Sequence, residues 1–341
     1  MDMTNPMNQG NKILTNEEYK ELWTRLGPIQ VKMIEEGRIG SLRTLKVYQV
    51  DSFTTEKFKG NPAGVVLNAD GLSDQEMQHI ARELNNSETA FIISPDGNDH
   101  EIKIRFFTPK TEVPVCGHAT IAAHYIRAIE YKLNSSTVFQ KIGIGILPVE
   151  IIKERTDYSI VMTQGRIEFY PPIDPEERAK IVHALDLKED DIDQRCPIQI
   201  VSTGHSKVMV GINKYSKLND LSPDLLALTK ISKTINCNGF FVFTTDSEQK
   251  EILTHGRMFA PAIGVNEDPV TGNAHGPLGA YLIKHSLVKH NGSVFTFKGE
   301  QGYAIGRSGL VNVIVNLDEG EPRQVKIGGR AVVVYRTEIQ I

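Results

Sequence analysis

The chain is poor in the features that most often announce a function. Its 341 residues include only three cysteines, Cys116, Cys196 and Cys237, with no C-x-x-C pair. One thiol is left over in any disulfide scheme, so a reducing cytoplasm is expected. No apolar run is long enough to span a bilayer, and the polar N-terminus lacks the charged-then-apolar layout of a signal peptide. The net charge is −4 and no block of lysine or arginine stands out, which argues against nucleic acid as a partner. The histidines His79, His124, His205, His275, His285 and His290 show no H-E-x-x-H or Cys/His metal spacing and read as structural or solvated. Gly143-x-Gly145 lacks the third glycine and following helix of a dinucleotide site, and no G-x-x-x-x-G-K-[S/T] occurs. Neither a metal nor a nucleotide cofactor is expected.

What the chain does have is a pattern written twice. Glu112-Val-Pro-Val-Cys-Gly-His-Ala119 returns as Glu267-Asp-Pro-Val-Thr-Gly-Asn-Ala274, and each copy follows an Arg-x-Phe-[Thr/Ala]-Pro run. Arg257 lies 152 residues after Arg105, whereas Glu267 lies 155 after Glu112, so the second copy carries three extra residues. In each copy a strand ends at proline, a short loop meets glycine, and an apolar segment with a tyrosine, Tyr125 or Tyr281, follows. Such segments read as helices buried inside a lobe, and Pro277 fits a first turn. Gly117-His118 and Gly272-Asn273 then stand at helix N-termini, whose free N–H groups and dipole attract a carboxylate. A chain of this length has room for two such lobes.

Residues 1–43 read as a helical arm, capped by Thr15 with Glu18, holding the only tryptophan, Trp23, and stopped by Gly27-Pro28. A first lobe, residues 44–164, opens with a strand at Leu45–Phe53, and Gly60–Leu67 is a turn feeding a second strand. Ser73-Asp-Gln-Glu76 forms a capping box for a helix with Met77, Ile80, Ala81 and Leu84 on one face, stopped at Asn85-Asn86. Glu88 follows, just before the strand Thr89–Ile93, at the rim of a core. Thr137–Leu147 and Tyr158–Thr163 also read as strands, with glycines where a barrel strand bends. After a crossover at 164–172 a second lobe, residues 165–329, runs in similar order. A strand within 330–341 returns to complete the first.

Removing a proton from a carbon beside a carboxylate, or conjugated with one, needs a base near the carbon and positive partial charge where the anion develops. Glu88 can supply the first and the two helix starts the second. Read alone, Glu88 serves as well as an exposed turn carboxylate, His118 or Asp268 as a helix cap, and Cys116 as a small packed residue. Gln301 and Arg307 read as residues that fix a loop.

Gly60-Asn-Pro-Ala63, Asn86-Ser-Glu-Thr-Ala-Phe91, Phe107-Thr-Pro109, Cys116-Gly-His-Ala-Thr120 and Glu267–Ala274 resemble, in order and spacing, the PhzF-like (phenazine biosynthesis F-like) isomerase family, most of all its YddE-type branch. The likeness covers about residues 45–341. It implies an α+β, diaminopimelate-epimerase-like fold of two pseudo-symmetric lobes, each a curled sheet or barrel around a central helix, with the site between them. It also implies a cytoplasmic homodimer that moves a proton on a small carboxylic acid without a cofactor. Residue by residue, Glu88 matches the proton shuttle, and His118 and Asp268 match its polar companions. Cys116, Gly117, Thr271, Gly272 and Asn273 match the two helix starts that hold substrate. Two departures bear on the reaction. Many phenazine-pathway members carry serine where this chain has Asn273. Epimerases of the fold oppose two cysteines, but here Cys116 faces Thr271, whose hydroxyl cannot replace a thiolate as a base.

Three functions compete on these residues: a proton-moving isomerase, an amino-acid epimerase or racemase on the same fold, and a non-catalytic protein that binds a ligand or partner. Glu88→Gln separates the last from the others, since only the enzymes need the carboxylate.

Overall fold

The computed structural model describes residues 43–341; the helix expected between Thr15 and Gly27 lies outside them. Arg43 and Ile341 exchange two backbone hydrogen bonds, of 2.9 and 3.0 Å. The first half of the fold runs β1 (Thr44–Ser52), β2 (Asn61–Val66), α1 (Asp74–Leu84), β3 (Thr89–Ile93), β4 (Ile102–Phe107), β5 (Glu112–Val113), α2 (Gly117–Tyr131), β6 (Ser136–Ile142), β7 (Gly145–Lys153) and β8 (Tyr158–Thr163). The second half runs β9 (Glu168–Pro172), α3 (Pro175–Ala184), β10 (Gln199–Ser202), β11 (Lys207–Gly211), α4 (Tyr215–Asp220), α5 (Leu225–Ile235), β12 (Phe240–Thr244), β13 (Thr254–Ala260), β14 (Val265–Asp268), α6 (Gly272–Lys284), β15 (Val294–Gln301), β16 (Gly309–Asp318) and β17 (Glu321–Gly329). The last strand is β18 (Ala331–Gln340).

Strand pairing repeats the duplication. In the first half β1 pairs antiparallel with β2, β2 parallel with β3, β3 antiparallel with β4, β4 parallel with β6, and β6, β7 and β8 form a meander. From β10 to β17 the same orientations recur in the same sequence. The halves join where β8 pairs antiparallel with β17, from Thr163 opposite Lys326 to Ile160 opposite Gly329. β18 pairs with β1, as β9 pairs with β10.

Each half curls round one helix. α2 buries residues on nearly all sides, with Ala119, Ala122, Ala123 and Ala128 letting β2, β3 and β8 come close. α6 does the same against β16 and β17. Both helices belong to one continuous apolar core. A second core, with Leu228, Ile231, Phe240 and Val242, lies under α3 and α5. α1 starts at the Ser73 capping box and ends at Asn85, which takes the left-handed conformation at φ 52°. No helix among the described residues is long and apolar enough to cross a membrane.

Three expectations need correction. The strand expected at Thr137–Leu147 is two, β6 and β7, because the glycines make the hairpin between them; Gly145 has φ 122°. The segment 164–172 is not only a crossover but holds β9. Pro277 lies well inside α6 instead of in its first turn. With no N–H of its own, it leaves the Asn273 carbonyl without its usual helical donor.

Candidate active site

The repeated run is first a mechanical device. In β4 the Arg105 guanidinium makes two 2.7 Å bonds to Glu112 and lies over the Phe107 ring. In β13 Arg257 holds Glu267 at 2.9 and 2.7 Å and lies over Phe259. Each fork ties a strand to the short strand beyond it, β5 or β14, which leads into a helix start. The three extra residues of the second copy lie between Pro261 and Glu267, where the chain makes a tight turn at Pro261–Ile263, closed by Gly264 in the left-handed region.

The two helix starts converge. α2 and α6 are in contact, and a Cβ placed on Gly117 would lie 3.4 Å from Asn273 Oδ1. Ile327 reaches under both, so that side chains at Gly272 or Gly117 would meet its Cδ1. Neither N-cap residue, Cys116 or Thr271, caps its helix with a side-chain bond. The N–H groups of Gly117, His118, Gly272 and Asn273 have no acceptor among the described residues. Four donors at the positive ends of two helix dipoles thus face one space. It is a cavity of about 100 Å³, and every residue expected at the site lines it: Glu88, Cys116, Gly117, His118, Asp268, Thr271, Gly272 and Asn273.

Glu88 is fixed by its backbone, whose carbonyl accepts from Gly64 N at 3.2 Å. Its side chain is 20% exposed, and Oε2 lies 3.2 Å from His118 Nε2. Burial raises the Glu88 pKa above the ordinary carboxylate value, against the opposing bonds from Ser87 and Cys116. Burial likewise lowers the pKa of His118, which favours the neutral ring. Its Nε2 faces Glu88 and also lies 3.3 Å from the Ser87 hydroxyl, so the neutral ring is assigned the Nε2–H tautomer that donates to the carboxylate; the Cys116 sulfur lies 3.5 Å from Nδ1. Burial, and then the charge of Glu88, push that thiol well above its usual range, so it stays protonated and is no base.

Asp268 accepts from Asn61 Nδ2 at 2.9 Å and from the Thr271 hydroxyl, not from a helix N–H, so it is no cap. Burial raises its pKa. Gln301 locks the same start, accepting from Thr271 N at 3.0 Å and donating to the Asp268 carbonyl at 2.7 Å. Gln164, held by the Thr203 hydroxyl at 2.7 Å, donates to the Gly272 carbonyl and to Asn273 Oδ1, both at 3.2 Å. Arg307 binds the Gly60 carbonyl and Asp51.

Sequence reasoning gave no site role to four polar residues of the lining: Ser87, His205, Lys207 and Asn238. His205 is exposed, as a solvated histidine should be, yet it also lines the cavity, where the Lys207 charge, with burial, pulls its pKa down to about 4. The signal for Lys207 was a lysine opening an otherwise apolar strand. Glu88, Cys116 and His118 also bring ligand atoms within 4.8 Å of one another, a set able to hold a divalent cation once the thiol loses its proton. A larger cleft of about 570 Å³ opens beside Lys59, Lys298 and Arg330. It contains none of the expected residues, and its Arg330 and Glu154 pair with each other.

Comparison with known proteins identifies the family. The model of the family described as phenazine biosynthesis-like protein matches residues 50–337. An uncharacterised isomerase of Clostridium acetobutylicum, CA_C3446, is 59% identical over 87% of this chain and 99% of its own. The uncharacterised isomerase YddE of Escherichia coli is 50% identical over 86% and 97%. The trans-2,3-dihydro-3-hydroxyanthranilate isomerase of Pseudomonas aeruginosa is 32% identical over 76% and 86%. Among solved structures, a PhzF-family phenazine biosynthesis protein of Bacillus anthracis superposes with TM-score 0.79 at 32% identity, over 88% of this chain and 100% of that one. A hydroxyproline epimerase of Agrobacterium vitis, at TM-score 0.58 and 11% identity over 88% and 93%, shares the fold alone. With a family match across most of its length and relatives this similar over nearly their whole chains, the protein belongs to the phenazine biosynthesis-like (PhzF) family of isomerases.

Proposed function

We propose that this isomerase moves a proton within a small carboxylic acid, with Glu88 as its single acid/base and no cofactor in the step. The observation that carries the reading is a carboxylate of raised pKa in the same small cavity as two uncapped helix starts. The substrate carboxylate accepts from the N–H groups of Gly117, His118, Gly272 and Asn273. Glu88 takes a proton from a neighbouring carbon: the C–H bond breaks, an O–H bond forms, and the electron pair enters the conjugated system. Donors already aimed at the carboxylate stabilise that charge without reorganising. The same O–H then returns the proton to another carbon, and a raised pKa suits both steps. His118 steadies the carboxylate through Nε2–H, and Asp268 with Gln301 keeps the second helix start in place.

The epimerase reading gains nothing from the site, since the position facing Cys116 is Thr271, whose hydroxyl is bonded to Asp268. The Pseudomonas relative is named for an unsaturated amino acid, and Asn273 in the serine position favours a different acid of that general kind here. The test is a screen of small carboxylates in deuterium oxide by NMR. Wild type is expected to label a new carbon with a shifted double bond, and Glu88→Gln to slow this by roughly 10²–10⁴-fold. Exchange that survives Glu88→Gln would overturn the reading.

A further inference from the structure

Lys207 opens β11 and is only 3% exposed, yet it lines the cavity. Its Nζ donates to one neighbour, the Ser206 carbonyl at 3.1 Å, and no carboxylate among the described residues lies within ion-pair distance of it. Cys237 and then Asp268 act on its charge from a distance, and the oxygens of Asp268 are engaged by Asn61 and Thr271. An ammonium group buried without a counter-ion is destabilising, and a ligand anion offsets that penalty. Burial lowers the lysine only to about 8, so the cation persists near neutrality.

Its position follows from the duplication. Thr89 pairs with Phe107 as Phe240 pairs with Phe259, so the counterpart of Glu88 is Gly239. Asn85 and Asn236, at φ 52° and 51°, end the preceding helices alike. Gly239 has no side chain, and the Lys207 stem fills its space: a Cβ there would lie 2.5 Å from Lys207 Cδ. The rotation that exchanges the two helix starts therefore carries the place of Glu88 onto that of the Lys207 stem. One flank of the cavity carries a carboxylate and the other an amine.

We infer that Lys207 binds an anionic group distinct from the carboxylate on the helix starts, which makes dicarboxylic acids the substrate class. The inference rests on the isomerase reading for the seat of the first carboxylate. Calorimetric titration tests it with succinate, glutarate and fumarate set against butyrate, valerate and crotonate. Wild type and Glu88→Gln are expected to bind at least one diacid roughly tenfold or more tightly than its matched monoacid. Lys207→Met, which keeps the stem over Gly239, is expected to abolish that preference, and Lys207→Arg to retain part of it. Thermal melting reports folding, and Lys207→Gln serves as a second neutral variant. A preference absent from every pair, or one that survives loss of the amine, overturns the inference. So does loss of proton exchange with diacid affinity unchanged, which would make Lys207 a second acid/base. Lys207-dependent diacid binding without exchange in any acid would sink the isomerase reading alone; Glu88-dependent exchange on monoacids that ignores Lys207 would do the reverse.

Discussion

As the proposed base, Glu88 comes at a cost to the fold. Burial raises the pKa of Glu88, and of Asp268, above the unfolded values, so the native chain holds more protons than the unfolded one between those values. The stability they contribute is full below the unfolded carboxylate range and is lost as pH rises through the raised values. Glu88→Gln, which cannot ionise, is therefore expected to melt above wild type at about pH 8 and level with it near pH 4. A lower Tm at the higher pH would contradict burial of a charge. In wild type the base must be ionised, so exchange is expected to rise with pH through a midpoint above the ordinary value of 4.5. A pH–rate profile reads that midpoint directly.

Among the elements, the two copies of the arginine fork share a geometry but not an environment. Arg257 and Glu267 are 8% and 14% exposed, whereas Arg105 and Glu112 are 20% and 42% exposed. Arg257→Met leaves a buried carboxylate unpaired and is expected to cost about 3–5 kcal/mol; Arg105→Met, at the wetter fork, about 1 kcal/mol. Equal losses in denaturant titrations would refute the difference. The same contrast shows what the sequence made legible. The repeated run exposed the helix starts because they are a local pattern, and α1 was plain from Ser73 to Asn85, whereas the clasp of each run's arginine on its glutamate came only with the fold. Burial was not legible, since the two Arg–Glu pairs read alike. The break between β6 and β7 was hidden because an alternating apolar run continues across Gly143-Ile-Gly145. Lys207 and His205 carried no motif, and only folding brings them to Glu88.

For the whole molecule, the decisive join is the pairing of β8 with β17. Ile327 lies in that seam opposite Met162, wholly buried, and supports both helix starts. Ile327→Ala is expected to cost roughly 2–5 kcal/mol and to slow exchange at saturating substrate, because donors from both halves lose a shared support. Val325→Ala, two residues away in the same strand and equally buried, is expected to lower stability without that loss of rate. If both variants lose rate alike, the support is general and does not belong to the helix starts. The unequal flanks of the cavity, Glu88 on one side and Gly239 under Lys207 on the other, also dictate handedness. Hydrogen that leaves and re-enters the substrate through a single carboxylate can do so only across one face. A solvent deuteron should therefore be found in one absolute configuration at its new carbon, and the product should be optically pure even from a flat, achiral acid.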